Sequence, residues 1–247
     1  MPRKSLHKLI IAIDGPAGSG KSSTAKALAR RLRLPYIDTG AMYRAVTLKA
    51  AHERIPFSDT AKLVACARRA RIRLEGGDPA KQRVWLDGRD VTKAIRDPEL
   101  TKNVFYVAQE PRIRRILVAK QRQMGRKAGG VMEGRDIGTV VFPDADLKFY
   151  FEASASIRAR RRWRELRQAG KAVSLEQVLK DQKKRDLTDT GREAGPLRPA
   201  RDAIRMDTTP LTIEETVDKI LALLKQAELP RKVNRYSKVR KTARRAL

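Results

Sequence analysis

Two rhythms of apolar residues alternate along this chain, and their order predicts its architecture. His7–Ile13 is a short Ile-rich run closed by Asp14-Gly15-Pro16, which predicts a buried strand. Gly20–Leu32 has Ala25, Leu28, Ala29 and Leu32 at helical spacing, with cations between them. Pro35–Ile37 predicts a second strand and Thr39–Glu53 a second helix, with Thr39 at a capping position. Ser58–Arg69 predicts a third helix, capped by Ser58 or Asp59. The period then changes. Arg71–Glu75 alternates, Gln82–Leu86 carries the β-prone pair Val84-Trp85, and Gly76-Gly77-Asp78-Pro79 separates them. This predicts a β-hairpin inserted into an α/β chain. Asp97–Gln123 predicts helix with a break at Pro111.

Further on, Gly130–Glu133 and Leu147–Phe151 predict two more strands, with Gly134-Arg135-Asp136-Ile137-Gly138 between them. Ser154–Gln168 predicts an Arg-rich helix and Ser174–Asp186 a charged amphipathic one. Gly191–Pro199 reads as a loop, Ala203–Met206 as a last strand ending in Asp207, and Ile213–Leu229 as a final helix. Strands separated by helices give an α/β fold: a doubly wound parallel sheet with helices on both faces. Ligands of such sheets sit at the carboxyl ends of the strands. The Gly15–Ser22 loop, Thr39 and the Arg135/Asp136 pair each follow a predicted strand.

Charge narrows the partners. The 247 residues hold 56 Lys and Arg against 28 acids, a net charge of +28. Pro230–Leu247 holds eight of those cations and no acid, so this basic tail is expected to be disordered or ordered only on a partner. The excess implies anionic partners: nucleotides, and nonspecific nucleic-acid contact through the tail. Cys66 is the sole cysteine, which excludes an intramolecular disulfide and a multi-Cys metal site; its apolar neighbours predict a packed thiol. The longest clean apolar run, Leu9–Ile13, is far too short to span a membrane. No apolar stretch of signal-peptide length precedes Asp14, so a cytoplasmic protein is expected.

Gly15-Pro16-Ala17-Gly18-Ser19-Gly20-Lys21-Ser22 fits G-x-x-x-x-G-K-[ST] in its required setting, strand before and helix after. Its glycines let the backbone wrap phosphates beside a helix N-terminus. Lys21 is placed to reach the β- and γ-phosphates, and the Ser22 hydroxyl suits Mg²⁺. The loop specifies nucleotide binding and leaves the reaction open. Neither Asn103 nor Asn234 precedes Lys, so the N-K-x-D guanine motif is absent. Phosphoryl transfer needs fixed positive charge, and arginines supply it: Arg44, Arg114, Arg135, Arg158, Arg160, Arg161, Arg162, Arg185 and Arg192. Arg158–Arg167 has six Arg in ten positions. Arg158, Arg161 and Arg162 share one helical face and Arg160, Arg164 and Arg167 another, so only one face can meet ATP.

Three blocks carry a resemblance: Ile13-Asp14-Gly15-Pro16 leading into the loop, Asp38-Thr39-Gly40-Ala41-Met42-Tyr43-Arg44, and Gly134-Arg135-Asp136-Ile137-Gly138 continuing to Ala145. Arg185-Asp186, Pro196-Leu197 and Asp207-Thr208-Thr209 add to it. Over about residues 8–228 the chain resembles the bacterial cytidylate kinases. The resemblance implies a monomeric kinase domain over 1–229, with an enlarged nucleoside-monophosphate-binding insert at about 58–125 and a lid at about 154–195. It implies ATP and Mg²⁺ at Gly15–Ser23, including Ser23, with Arg158 and Arg161 in the lid. It places the phosphate of CMP or dCMP near Thr39, Arg44, Arg135 and Arg192, groups Tyr43 with them, and puts Arg185 and Asp189 on the sugar and phosphate side. Arg114 and Asp136 would read the cytosine edge; Lys21, Arg135, Arg161 and Arg192 would steady the transferring group. Phe105 departs from a common Ser, and Glu133 from a common Asp before Gly134. A kinase of another small acceptor, and a nucleic-acid-associated P-loop ATPase, are the competing readings.

Overall fold

The computed structural model describes residues 9–76 and 78–226. The basic tail, and the predicted ends of the first strand and last helix, lie outside them. Five parallel strands form the central sheet: β1 (Ile10–Asp14), β2 (Tyr36–Asp38), β6 (Gly130–Gly134), β7 (Leu147–Glu152) and β8 (Ile204–Asp207), in the order β2-β6-β1-β7-β8. β1 is central and buried throughout because both faces are covered. Its alternation divides the core. Ile11 and Ile13 pack with Phe149 and Phe151 against α1 (Lys21–Leu32) and α8 (Ile213–Gln226). Ile10 and Ala12 pack with Ile37, Met132 and Val118, the last from α5 (Pro111–Ala128).

A second hydrophobic core lies beside the sheet. Helices α2 (Thr39–His52), α3 (Thr60–Arg69), α4 (Pro98–Gln109) and α5 enclose Met42, Leu63, Ile95 and Leu117. Against them lies an antiparallel sheet of β3 (Ile72–Glu75), β4 (Arg83–Leu86) and β5 (Arg89–Asp90). The expected hairpin is therefore three-stranded; β5 has two residues, too few to show alternation. A tight turn with positive φ at Asp87 and Gly88 makes it.

The strands keep their expected places to within a few residues, and the helices differ more. α5 continues to Ala128, and Gly125 lets it meet the Phe142 ring on the way; a Cβ there would lie 2.6 Å from it. α6 (Ala155–Gln168) forms as expected, but α7 (Leu175–Gly191) runs past Asp186. Thr188 and Thr190 bond back to the carbonyls of Lys184 and Asp186, keeping the turn helical. Asp38, rather than Thr39, caps α2, accepting from the Ala41 amide at 2.8 Å. Asp59 caps α3. Cys66 is buried, and burial pushes its thiol up to about 11.

Candidate active site

The carboxyl ends of β1, β2 and β6 meet at one place. From β1 the chain enters the Gly15–Ser22 loop, which ends on α1. Gly18 is left-handed (φ 77), and a Cβ there would sit 2.9 Å from the Arg158 carbonyl, so only glycine lets α6 close on the loop. Lys21 is buried and donates to the Pro16 carbonyl at 3.1 Å. Burial first, and Arg135 next, pull its ammonium down to about 7. The site thus holds a desolvated lysine that an anion would recharge. Ser22 Oγ donates to Glu133 Oε1 at 2.7 Å, and Ser23 lies exposed beside it. Ser19 is buried, and its carbonyl accepts from Thr208 Oγ1 at 2.9 Å.

Asp14, the last residue of β1, is a structural hub that motif reasoning passed over. Its two oxygens accept the amides of Ile137 and Gly138 at 2.8 and 2.7 Å, at the start of a π-helical turn (Ile137–Val141). It thereby ties the phosphate loop to the Arg135-Asp136 segment. Burial drives it up to about 7, although those amides pull it back down.

At the ends of β2 and β6, Glu133 is a second hub. It accepts from Ser22 and from Tyr36 Oη, and its carbonyl takes Thr39 Oγ1 at 2.7 Å. Asp38 pairs with Arg44 at 2.9 Å and with Arg96 at 2.7 Å. Burial pushes Asp38 up, but the two guanidiniums outweigh it and hold it at about 2. Arg96 escaped the sequence reading because it sits in a 3₁₀ turn (Ala94–Arg96) with no motif around it.

A buried pair lies next to these groups. Arg114 donates to Asp136 and, at 3.0 Å, to the Ala108 carbonyl, and its guanidinium lies over the Tyr43 ring at 5.4 Å. Burial raises the Tyr43 hydroxyl to about 12. Gly195 rests on the pair, so a Cβ there would strike the Asp136 carboxylate and the Arg114 guanidinium.

From the other side, α6, α7 and the following loop bring the remaining arginines. Arg135 pairs with Asp189 at 2.7 Å, and Arg192 approaches the same carboxylate at 3.6 Å. Burial opposes ionisation of Asp189, but Arg135 and Arg185 hold it below the usual carboxylate range. Burial and the neighbouring Arg135 lower Arg185 to about 10. Arg161 reaches the Thr208 carbonyl at 2.7 Å. Arg158 is fully engaged: it donates to the Ala153 and Ala17 carbonyls and to Asp186. Arg160, Arg164 and Arg167 face solvent, so α6 turns one arginine face inward and leaves the other out. Hydrogen bonds and ion pairs thus link Arg44 to Asp38, Arg114 to Asp136, and Arg135 and Arg192 to Asp189 near the carboxyl ends of the strands, while Arg160 lies outside this group.

The donor set fits Mg²⁺. Ser22 and Glu133 offer hard oxygens side by side. Among the described residues no group of three metal-binding side chains exists. No helix among the described residues is long and apolar enough to cross a membrane.

The profile of the family described as Cytidylate kinase matches residues 11–226. A cytidylate kinase of Desulforamulus reducens is 51% identical over 90% of this chain and 99% of its own length. One from Desulfitobacterium hafniense is 53% identical over 87% of this chain and 92% of its own. A bifunctional pantoate ligase/cytidylate kinase of Synechococcus sp. JA-3-3Ab is 49% identical over 88% of this chain, which covers 41% of that protein. A solved structure of an uncharacterized protein from Eubacterium ventriosum superposes with a TM-score of 0.50 at 14% identity, over 89% of this chain and 99% of that one; it shows likeness of fold alone.

Proposed function

Because this chain belongs to the cytidylate kinase family, we propose that it transfers the γ-phosphoryl group of ATP to CMP or dCMP, giving ADP and CDP or dCDP. The observation that carries the reading is the meeting of strand ends. The Lys21 loop leaves β1, and Arg135 and Asp136 leave the adjacent β6, which supports donor and acceptor sites side by side at the carboxyl end of the sheet.

Lys21 holds the β- and γ-phosphates of ATP, with the α1 N-terminus behind them. Bound with the nucleotide, Mg²⁺ supplies positive charge to the phosphate oxygens, and Ser22 and Glu133 would hold it. Arg44, Arg135 and Arg192, with Thr39, hold the acceptor phosphate, and Arg185 and Asp189 its sugar side. An acceptor phosphate oxygen attacks the γ-phosphorus, and the bond to the ADP oxygen breaks. No side chain is modified. Arg161 steadies charge on the transferring oxygens. The engagement of Arg158 supports a role in fixing the lid to the phosphate loop. Closure of the lid over Arg161 and Arg192 excludes water, which would otherwise take the phosphoryl group. Arg114 and Asp136 read the base: a carboxylate accepts from the exocyclic amine of cytosine, which uracil lacks. One chain holds every group named, so a monomer suffices. The eight cations of Pro230–Leu247 support a separate, nonspecific nucleic-acid contact, which salt-dependent binding of full-length and truncated protein would test.

The test is product identity. With γ-labelled ATP, Mg²⁺ and CMP, label is expected in the β-phosphate of CDP. Label released only as inorganic phosphate would leave the chain an ATPase.

A further inference from the structure

Among the described residues, five large hydrophobic side chains stand exposed, and three of them, Phe105, Tyr106 and Leu187, line a single cavity of about 800 Å³. Apolar exposure gathered in this way marks a binding surface. Phe57 completes the aromatic part. Its ring stacks on Tyr106 (5.8 Å, 21°), and Phe105 meets Tyr106 edge-on (5.3 Å, 65°). Tyr106 is thus held between two rings, and Phe105 keeps 41% of its surface open.

Two observations give this wall an occupant. First, Arg192 also lines the cavity; its side chain is only 6% exposed, yet Nη2 is buried with no partner among the described residues. A buried, unsatisfied guanidinium nitrogen is costly until a ligand acceptor meets it. Second, Phe105 lies just under one turn of α4 from Ala108, whose carbonyl anchors Arg114. The helix that carries the open ring therefore also braces Arg114, the partner of Asp136. A free aromatic face sharing one cavity with an unsatisfied cation suits a flat, polar ring on an anionic ligand.

We propose that Phe105, backed by Tyr106 and Phe57, is a substrate-binding residue of the acceptor site, the surface on which the acceptor's nucleobase stacks. This rests on the acceptor reading above and deepens it. A phenyl ring has no hydrogen bond to offer, so it grips any base by its face. Stacking then sets affinity, and discrimination between cytosine and uracil falls wholly to Arg114 and Asp136.

Steady-state kinetics of the full chain test this. Phe105→Ala is expected to raise KM for CMP and for UMP about tenfold by the same factor, with kcat and KM for ATP within twofold. Phe105→Tyr should keep wild-type KM, and Phe105→Leu should resemble alanine, because a stack needs a ring. A KM for CMP unchanged in Phe105→Ala would overturn the proposal. So would a leucine variant equal to wild type, or a CMP-to-UMP ratio that moves with the ring. Because the ring is part-exposed, the alanine variant should melt within a few degrees of wild type. Calorimetric CMP binding reads the same contact without turnover. A wild-type chain that binds CMP but transfers nothing would defeat the kinase reading, while the Phe105 comparison still decides the stack.

Discussion

Asp38 offers the sharpest energetic test, because one carboxylate caps a helix and aligns two arginines. It is nearly fully buried, with Arg44 at 2.9 Å and Arg96 at 2.7 Å. Its ordinary value of 3.8 falls to about 2. At about 1.4 kcal/mol per pH unit, the charged form is favoured in the fold by roughly 2 to 3 kcal/mol. The sign follows from the depression. This stability is complete above pH 3.8 and is lost as pH falls through 2. Asn replaces the charge yet still caps a helix, so Asp38→Asn should cost roughly 2 to 3 kcal/mol at pH 7. Asp38→Ala should cost about 1 kcal/mol more for the lost cap. Both leave Arg44 buried without its carboxylate. Urea unfolding at pH 7 and pH 3 measures these quantities. The same variants should raise KM for CMP, because Arg44 loses its fixed position. An Asp38→Asn variant within about 0.5 kcal/mol of wild type at pH 7 would refute the reasoning, as would a cost at pH 3 equal to that at pH 7.

Lys21→Ala should abolish phosphoryl transfer and leave the circular dichroism spectrum and melting intact; near-full activity would remove Lys21 from the site. Lys21 sits at about 7 in the free protein, and phosphate charge must raise it. ATP binding at pH 8.5 should therefore take up protons, visible by calorimetry in buffers of different ionisation heat. Asp14 also lies at about 7, so the uptake must persist in Asp14→Asn to belong to the lysine. Asp136→Ala should lower the kcat/KM preference for CMP over UMP at least tenfold, and an unchanged ratio would take Asp136 out of base readout. Gly195→Ala would place a methyl against Asp136 and Arg114 at φ 60, so KM for CMP should rise several-fold while KM for ATP holds.

Legibility in the sequence followed locality. The phosphate loop was legible because its function lies within eight consecutive residues set between a strand and a helix. The parallel sheet was legible because its strands are short apolar runs separated by helical spacing. β5 was hidden because two residues cannot display a period. Asp14, Asp38 and Arg96 were hidden for another reason. Their partners lie 123, 6 and 58 positions away, and only the folded chain brings those groups within hydrogen-bond distance. The inward face of α6 was ambiguous for similar cause. Helical spacing separated the arginines into two faces, but it took the carbonyl of Ala17 and the carboxylate of Asp186 to choose between them. Phe105 was visible as a departure from a family pattern, and its ring neighbours were not.

The central claim is that phosphate chemistry and base choice meet in one cleft. A coupled ADP-release assay of the full chain across CMP, dCMP, UMP, AMP and shikimate tests it most directly. Rapid turnover with CMP and dCMP, weaker turnover with UMP and none above background with AMP or shikimate is the expected result. Equal turnover with AMP, or turnover with shikimate alone, would contradict the account.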